Sequence, residues 1–487
     1  MKNKIITVIT VLILLIGIGF NIQCYAISDE QSAAIQSFLD EACRKSGTPG
    51  ISVSILYEGE TFFFSSGYAN HEEKLSANEN TLYELASVSK AFTGVGILLL
   101  EEQGLLSMTD PIDKYLPWLS FRYKGKSVDM SKVTLNDFLH HTSGLTNQKH
   151  FNIIPAGNTP DMLKKTVEVL IDTELAFSPG ERYEYGTVNF DVLALVIEYV
   201  SGQSFEDYMR EQVFEPLGLH NTYLYIDQAK ATGKMAQGYR TSFFITTPYD
   251  APEYGGNKAA GYIITSAYDM ARWMGIHLGI IDDIPEIFRS VITKSHEGNK
   301  SNIAENELFY AAGWLVNNDL TFISHAGGNP TFKTNVFLYP EEKVGICLLS
   351  NGSNMNSGAI GSIKDILDGN LSQSYQIGGL QPIDIILSCV TIVAGLLAVM
   401  FLFLGIRRKK LNGNQKITKR RLMLLIFWLA VIVVMGVLCC VFPAIFGGDW
   451  SYMFVWMPYS IPAALIALFL LSANITWFVC TNTTKKT

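Results

Sequence analysis

Hydropathy divides this chain before any motif does. Three apolar segments close it, at 385–406, 422–442 and 461–480. Each has the roughly 20 residues that a helix needs to cross a bilayer. Between the first two lies 407–421, which carries eight basic residues and no acid. The next loop, 447–460, carries Asp449 and no base, and the chain ends Lys485-Lys486-Thr487. Buried core helices would explain neither the lengths nor the basic loop. Positive residues collect on the cytoplasmic side, so the loop 407–421 and the tail 481–487 are expected inside and the region before 385 outside. The N-terminus agrees. Lys2 and Lys4 precede an apolar run over 5–20, and Cys24-Tyr25-Ala26 ends in a small residue. That is the pattern of a signal peptide over 1–26, and a retained anchor would export the following region equally well. The expectation is a multi-pass protein of the cytoplasmic membrane. Its extracytoplasmic domain spans 27–375, a Gly-rich linker 376–384, and its transmembrane domain 385–480. Asn474, Pro443 and Pro462 lie in or beside the spans and raise partner contacts through the helices, although a simple tether tolerates such residues.

Charge narrows the class of the exported part. Residues 27–383 hold 25 Lys and Arg against 43 Asp and Glu, a balance of −18. Such a surface repels nucleic acid and anionic lipid heads. Only Cys43 and Cys347 fall in this region. They fit a disulfide in an oxidising compartment or two buried thiols. The Cys and His spacing supports no metal site, and no cofactor is expected.

The exported part reads as α+β. A helix is expected over 30–46, then strands at 51–57 and 61–66 joined through Glu58-Gly59-Glu60. The stretch 84–300 is mostly helix and loop. Strand signals return at 309–316, 320–324, 332–339 and 344–350, followed by a helix at 355–370. Strands at both ends around a helical middle predict one sheet of distant segments with an inserted helical subdomain.

Three short stretches carry chemistry. The first is Glu84-Leu85-Ala86-Ser87-Val88-Ser89-Lys90, followed by an apolar run to Gly104. This reads as a buried helix with Ser87 at its start and Gly104 at its end. Ser87 and Lys90 are three apart and share a helical face. A lysine in apolar surroundings loses part of its preference for charge and can deprotonate a serine. By itself the spacing is weak, because Ser-x-x-Lys arises about twice by chance in such a chain. A capping serine followed by a surface lysine would look the same, and Ser89 is as good a cap. The second stretch runs from Pro179 to Phe190 and delivers Tyr185 just ahead of a helix. A phenol near a lysine can relay a proton to a leaving group, whereas a lone tyrosine is more often a half-buried aromatic. The third, Ile323 to Pro330, contains His325-Ala326-Gly327-Gly328-Asn329. Two glycines at a strand edge let a substrate backbone lie alongside. The N–H groups of Ser87 and Gly328 are then candidate oxyanion donors. A histidine such as His325 is usually structural and gains weight only from these neighbours.

In this order the three stretches resemble the serine β-lactamase and penicillin-binding-protein superfamily, in its class C or esterase-like branch, with Ser-x-x-Lys, Tyr-x-Asn and a Lys- or His-x-Gly strand. His141-Thr142-Ser143-Gly144-Leu145, Pro216-Leu217-Gly218-Leu219 and Thr265–Ala271 look like the same branch. The resemblance covers about 30–370. It implies an antiparallel sheet packed by helices, with the site between sheet and helical subdomain, and an acyl-enzyme on Ser87 assisted by Lys90 and Tyr185. One departure stands out: Thr187 occupies the place of the asparagine, and Asn189 is two residues too far on to replace it. This puts β-lactam hydrolysis in doubt more than acylation.

An exported domain of this type followed by three spans looks like the membrane-bound peptidases that activate prodrugs, of the colibactin-maturing type, which remove an N-acyl-D-asparagine cap. Tyr83-Glu84-Leu85, Ala311–Trp314, Asn329-Pro330 and Gly448-Asp449-Trp450 fit that comparison. It implies a small hydroxyl residue at 187 and maps asparagine recognition to Thr187, Asn257 and Asn329, beside His325 and Gly327 of the strand as further substrate-binding candidates. Asn257 stands where the best-known member of that group has histidine. The expected substrate is a small peptide or acyl-D-amino acid. A cell-wall D,D-peptidase or esterase, and a non-catalytic β-lactam or muropeptide receptor, are the rival readings.

Overall fold

The computed structural model describes residues 27–150, 154–411, 419–445 and 448–481. The signal-peptide reading on 1–26 and the tail beyond Thr481 lie outside these residues, as do 412–418 of the basic loop.

The chain enters the fold through a helix, α1 (Asp29–Ser46), whose start is fixed by a reciprocal cap between Ser28 and Gln31. Eight strands build the main sheet: β1 Gly50–Tyr57, β2 Glu60–Asn70, β3 Leu75–Ser76, β4 Phe309–Tyr310, β5 Leu315–Val316, β6 Ile323–Gly328, β7 Lys333–Tyr339 and β8 Val344–Ser350. Their order is β4-β5-β6-β7-β8-β1-β2-β3, antiparallel throughout. β1 pairs with β8 through Ile51↔Ser350 to Leu56↔Gly345, so the two ends of the domain meet in mid-sheet. The expected 309–316 strand is broken into two, because Ala311–Trp314 turns back with Gly313 at φ 81°.

Alternation along the strands covers both faces. Ile51, Val53, Ile55, Ile346 and Leu348 face α1 and the helix Ala359–Leu367. Leu56, Cys347 and Leu349 face the larger core, which continues into the inserted helical region. Phe92 and Trp273 stack there with ring centroids 3.9 Å apart. Cys43 and Cys347 are both free thiols, Cys347 buried in that core.

Among the described residues, three helices beyond the domain are long and apolar enough to cross a membrane: Gln381–Leu411, Lys419–Ile445 and Ser460–Thr481. The first starts inside the stretch read as linker. Pro382 at its second position needs no N–H partner, and Gln381 Nε2 reaches Lys45 O at 2.6 Å. The helices also dock on the domain. Asp384 is buried and accepts from the N–H groups of Phe243 and Phe244, at 3.1 and 3.2 Å. Those two residues form the tip of the hairpin Tyr239–Ser242/Ile245–Pro248 with φ of 54° and 65°. Left-handed backbone is costly for phenylalanine, and the carboxylate offsets it by taking both tip donors. Arg240 stacks on Tyr249 and Tyr459 and donates to the carbonyls of Phe454 and Val455. The short helix Trp450–Trp456, between the second and third long helices, is thereby held against the domain.

Candidate active site

Ser87 sits in a single 3-10 turn, Ala86–Val88, which runs directly into the helix α2, Ser89–Glu102. The break arises at Ala86, whose φ of 48° is left-handed. Strain in a non-glycine residue beside a reactive group is stored by its surroundings. α2 ends as expected at Gly104, φ 72°, with Gly104 N–H on Glu101 O and Leu105 N–H on Leu100 O. Ser89 is not the cap: its hydroxyl is buried and accepts from Ile263 N–H at 3.1 Å.

Lys90 is fully buried one turn beyond Ser87. Its Nζ has three neighbours: Ser87 Oγ at 3.3 Å, Thr187 Oγ1 at 3.1 Å and Ala260 O at 2.6 Å. Burial pulls its pKa down to about 7, and the charge of Asp191 resists that fall. Loss of water around an ammonium disfavours its charged form. The amine also lies 5.1 Å from the Tyr185 ring centroid.

Tyr185 is delivered by the turn before the helix α3, Val188–Ser201. Its hydroxyl is buried and makes no hydrogen bond of normal geometry. Burial raises its pKa, and nearby Ser87 lowers it in part. The ring packs against His141 at 4.4 Å, with Tyr310 behind both. Burial, then the Lys90 charge, holds His141 neutral. Thr187 accepts from Lys90 and donates its N–H to Asn147 Oδ1 at 2.7 Å. Asn189 is spent elsewhere, on Gly186 O, His141 Nδ1 and Ser143 Oγ.

β6 forms the third wall. It pairs with β7 along its whole length, Ile323↔Leu338 to Gly328↔Lys333. β5 covers its other edge only at Ser324 and Ile323. From His325 to Gly328 that edge has no strand beside it among the described residues. Gly327 explains how closely β6 approaches the serine. A Cβ there would lie 2.4 Å from Leu85 O and 3.0 Å from Ser87 N. His325 points away from the open edge into the core, with Nε2 3.2 Å from Tyr310 OH and Nδ1 2.8 Å from Ala326 O. Burial lowers its pKa to about 3, so the ring is neutral. A structural role in orienting the aromatic cluster suits it better than direct substrate contact.

Asn257 and Asn329 both lie beside Gly261. A Cβ on Gly261 would lie 3.6 Å from Asn257 Oδ1 and 3.8 Å from Asn329 Oδ1. Their amide nitrogens are already committed. Asn257 Nδ2 donates to Asp191 Oδ2 at 2.6 Å. Asn329 Nδ2 donates to Glu84 Oε2 at 2.6 Å and to Gly261 O at 2.9 Å. Asn257 also lines a cavity of about 330 Å³ together with Tyr254, Tyr262, Tyr452 and Trp456. Asp191, Asn147, His141 and Tyr310 were not singled out from the sequence. A buried acid reads as an ordinary helix residue until its neighbours are known, and His141 was visible only as part of a matching phrase.

Residues 33–369 match the Beta-lactamase family. Protein flp of Staphylococcus aureus (strain MW2) is 27% identical over 480 residues, 94% of this chain and 93% of that protein. That extent passes residue 369 and takes in the apolar helices. Penicillin-binding protein 4* of Bacillus subtilis (strain 168) is 28% identical over 309 residues, 60% of this chain and 65% of that protein. Among solved structures, the octameric penicillin-binding protein homologue from Pyrococcus abyssi superposes with a TM-score of 0.60 at 25% identity, covering 70% of this chain and 79% of that one. D-alanine carboxypeptidase AmpC from Burkholderia cenocepacia gives 0.59 at 22% identity, over 70% and 99%, a likeness of fold. The matched segment contains Ser87, Lys90, Tyr185 and the open β6 edge, and the chain therefore belongs to the Beta-lactamase family, whose fold serves serine hydrolases and penicillin-binding proteins.

Proposed function

We propose that this chain is a membrane-anchored serine hydrolase that works on the outer side of the cytoplasmic membrane. It cleaves an amide beside a D-amino acid in a small peptide or acyl-D-amino acid. One observation carries the reading: the Ser87 hydroxyl, the buried Lys90 amine and the buried Tyr185 hydroxyl meet below a strand edge that no other strand covers among the described residues.

The substrate backbone lies along His325–Gly328 as an added strand. Neutral Lys90 takes the Ser87 proton as Oγ attacks the carbonyl carbon. The N–H groups of Ser87 and Gly328 receive the developing oxyanion. Tyr185 gives its hydroxyl proton to the departing amine and takes the proton held by Lys90 in return, the C–N bond breaks, and Ser87 keeps the acyl group. Water then cleaves the ester and restores the serine. Thr187 holds Lys90 in line.

Two versions of the substrate have support. The Oδ1 atoms of Asn257 and Asn329 beside Gly261 are acceptors suited to the amide of a D-asparagine side chain, which favours a prodrug-activating peptidase. The relatives named as penicillin-binding proteins favour a cell-wall D,D-peptidase. Solubilised full-length protein incubated with N-acyl-D-Asn and N-acyl-D-Ala amides separates them. Preferential D-Asn turnover supports the first, and equal or no turnover of that substrate rejects it. Labelling of Ser87 by a fluorescent penicillin without any turnover indicates a receptor instead.

A further inference from the structure

Lys333 has no part in the chemistry above, yet it stands at the end of the open edge. It is the first residue of β7 and pairs with Gly328, the last residue of β6. Its side chain does not stay over its own strand. A Cβ on Gly328 would meet Lys333 Nζ at 3.0 Å, Cε at 3.3 Å and Cδ at 3.5 Å. The amine therefore ends over Gly328, in the space that the missing side chain leaves. Gly327 turns toward Leu85 and Ser87, and successive strand residues face opposite sides. The amine thus flanks the open strand on the face away from the nucleophile.

This amine lacks the partner that an enclosed cation needs. The side chain is half-buried. Loss of water alone moves its pKa, downward, with no carboxylate and no hydrogen bond acting against it. Only its backbone is engaged, through the carbonyl that accepts from Ser350 Oγ at 3.2 Å. Other part-buried lysines of the domain are paired: Lys258 with Glu206, and Lys364 with Glu342 and Asp368. In a region of 43 acids and 25 bases, a cation left without an acid is the exception. An anion from outside would supply what the fold does not.

Tyr185 sets which part of the substrate comes near. It protonates the departing amine, and its ring lies 6.4 Å from that of His325. His325 and Gly328 are three residues apart, about 10 Å along a strand. With the scissile carbonyl on the Gly328 N–H, the leaving group lies toward His325 and the acyl part toward Gly328 and Lys333.

We infer that Lys333 is a substrate-binding residue that selects a carboxylate on the acyl part of the substrate, the part that stays on Ser87. This deepens the proposed function and rests on Ser87 as nucleophile and Tyr185 as donor to the leaving amine.

The test compares kcat/KM of the full-length protein for two D-alanine p-nitroanilides with the same leaving group, one with an N-succinyl cap and one with the neutral N-succinamoyl cap. Wild type is expected to prefer the succinyl substrate by about tenfold or more, chiefly through KM. Lys333→Met removes that preference, and Lys333→Arg, which keeps the charge, retains most of it. If Lys333→Met does not fold, Lys333→Gln decides in the same way. No preference in wild type, or a preference that survives in the uncharged variants, overturns the inference and leaves the catalytic reading intact. So does turnover of neither substrate by protein whose Ser87 still labels with a fluorophosphonate. Protein that neither turns over nor labels removes the catalytic reading and this inference with it.

Discussion

Asn329 Nδ2 bridges Glu84 Oε2 at 2.6 Å and Gly261 O at 2.9 Å. One amide thus ties the end of the open strand to the segment that leads into Ser87 and to the turn beneath Lys90. Glu84 is half-buried on a cavity wall, and loss of water around its carboxyl raises its pKa to about 7, against the pull of Asn329.

That bond carries a stability prediction. A carboxyl whose native pKa is raised binds a proton that the unfolded chain has released. Stability therefore falls as pH rises from about 4.5 to about 7. Glu84→Gln keeps the acceptor and cannot ionise. Thermal melts should show the variant gaining on wild type across this window, by about 1.4 kcal/mol per pH unit at most. Parallel curves would mean that Glu84 is already solvated.

Acylation should follow the charge of Lys90. Because the amine works when neutral and burial brings its pKa down to about 7, the rate should climb through that pH and level above it. Lys90→Ala and Tyr185→Phe should each lose about a hundredfold or more in stopped-flow acylation. Lys90→Arg, which keeps its charge, should fall as far. Near-normal rates in Lys90→Ala would assign the base elsewhere.

Thr187 can be tested by shape. Thr187→Val removes the acceptor 3.1 Å from Lys90 and should slow acylation by about tenfold or more. Thr187→Ser should keep most of the rate. A valine variant as fast as the serine one would show that the hydroxyl is idle.

Gly327→Ala places a methyl group 2.4 Å from Leu85 O. Strand and serine turn must part, at a cost of about 1–3 kcal/mol. Urea denaturation should register that loss, and labelling of Ser87 should drop with it. An alanine variant with unchanged stability and labelling would contradict the close approach.

The short helix Trp450–Trp456 lines the same cavity as Asn257. Trp456→Ala should raise KM for substrates long enough to fill that space far more than for short ones. Equal effects on both would reduce this helix to a spacer.

Much of this was legible in the sequence because it rests on local pattern. Ile51, Val53 and Ile55 alternate with serines and announced a strand. The apolar run after Lys90 announced a buried helix, and Gly104 its end. What escaped depends on distant pairing. Nothing near Asp191 or Glu84 tells that each carboxyl meets an asparagine side chain from 66 or 245 positions away. The break of the 309–316 strand follows from Gly313 packing against Lys90 and Ala91, where a Cβ would lie 2.3 Å from backbone atoms. The docking of Phe243-Phe244 on Asp384 was hidden for the same reason, since a hairpin tip of two phenylalanines has no turn signature of its own.

The most direct measurement is peptide mapping of the full-length protein after brief exposure to a fluorophosphonate, by mass spectrometry, at pH 8. The expected result is a single adduct on the peptide containing Ser87, absent from Ser87→Ala and strongly reduced in Lys90→Ala. An adduct on another residue, or equal labelling of all three proteins, would contradict a nucleophile at position 87.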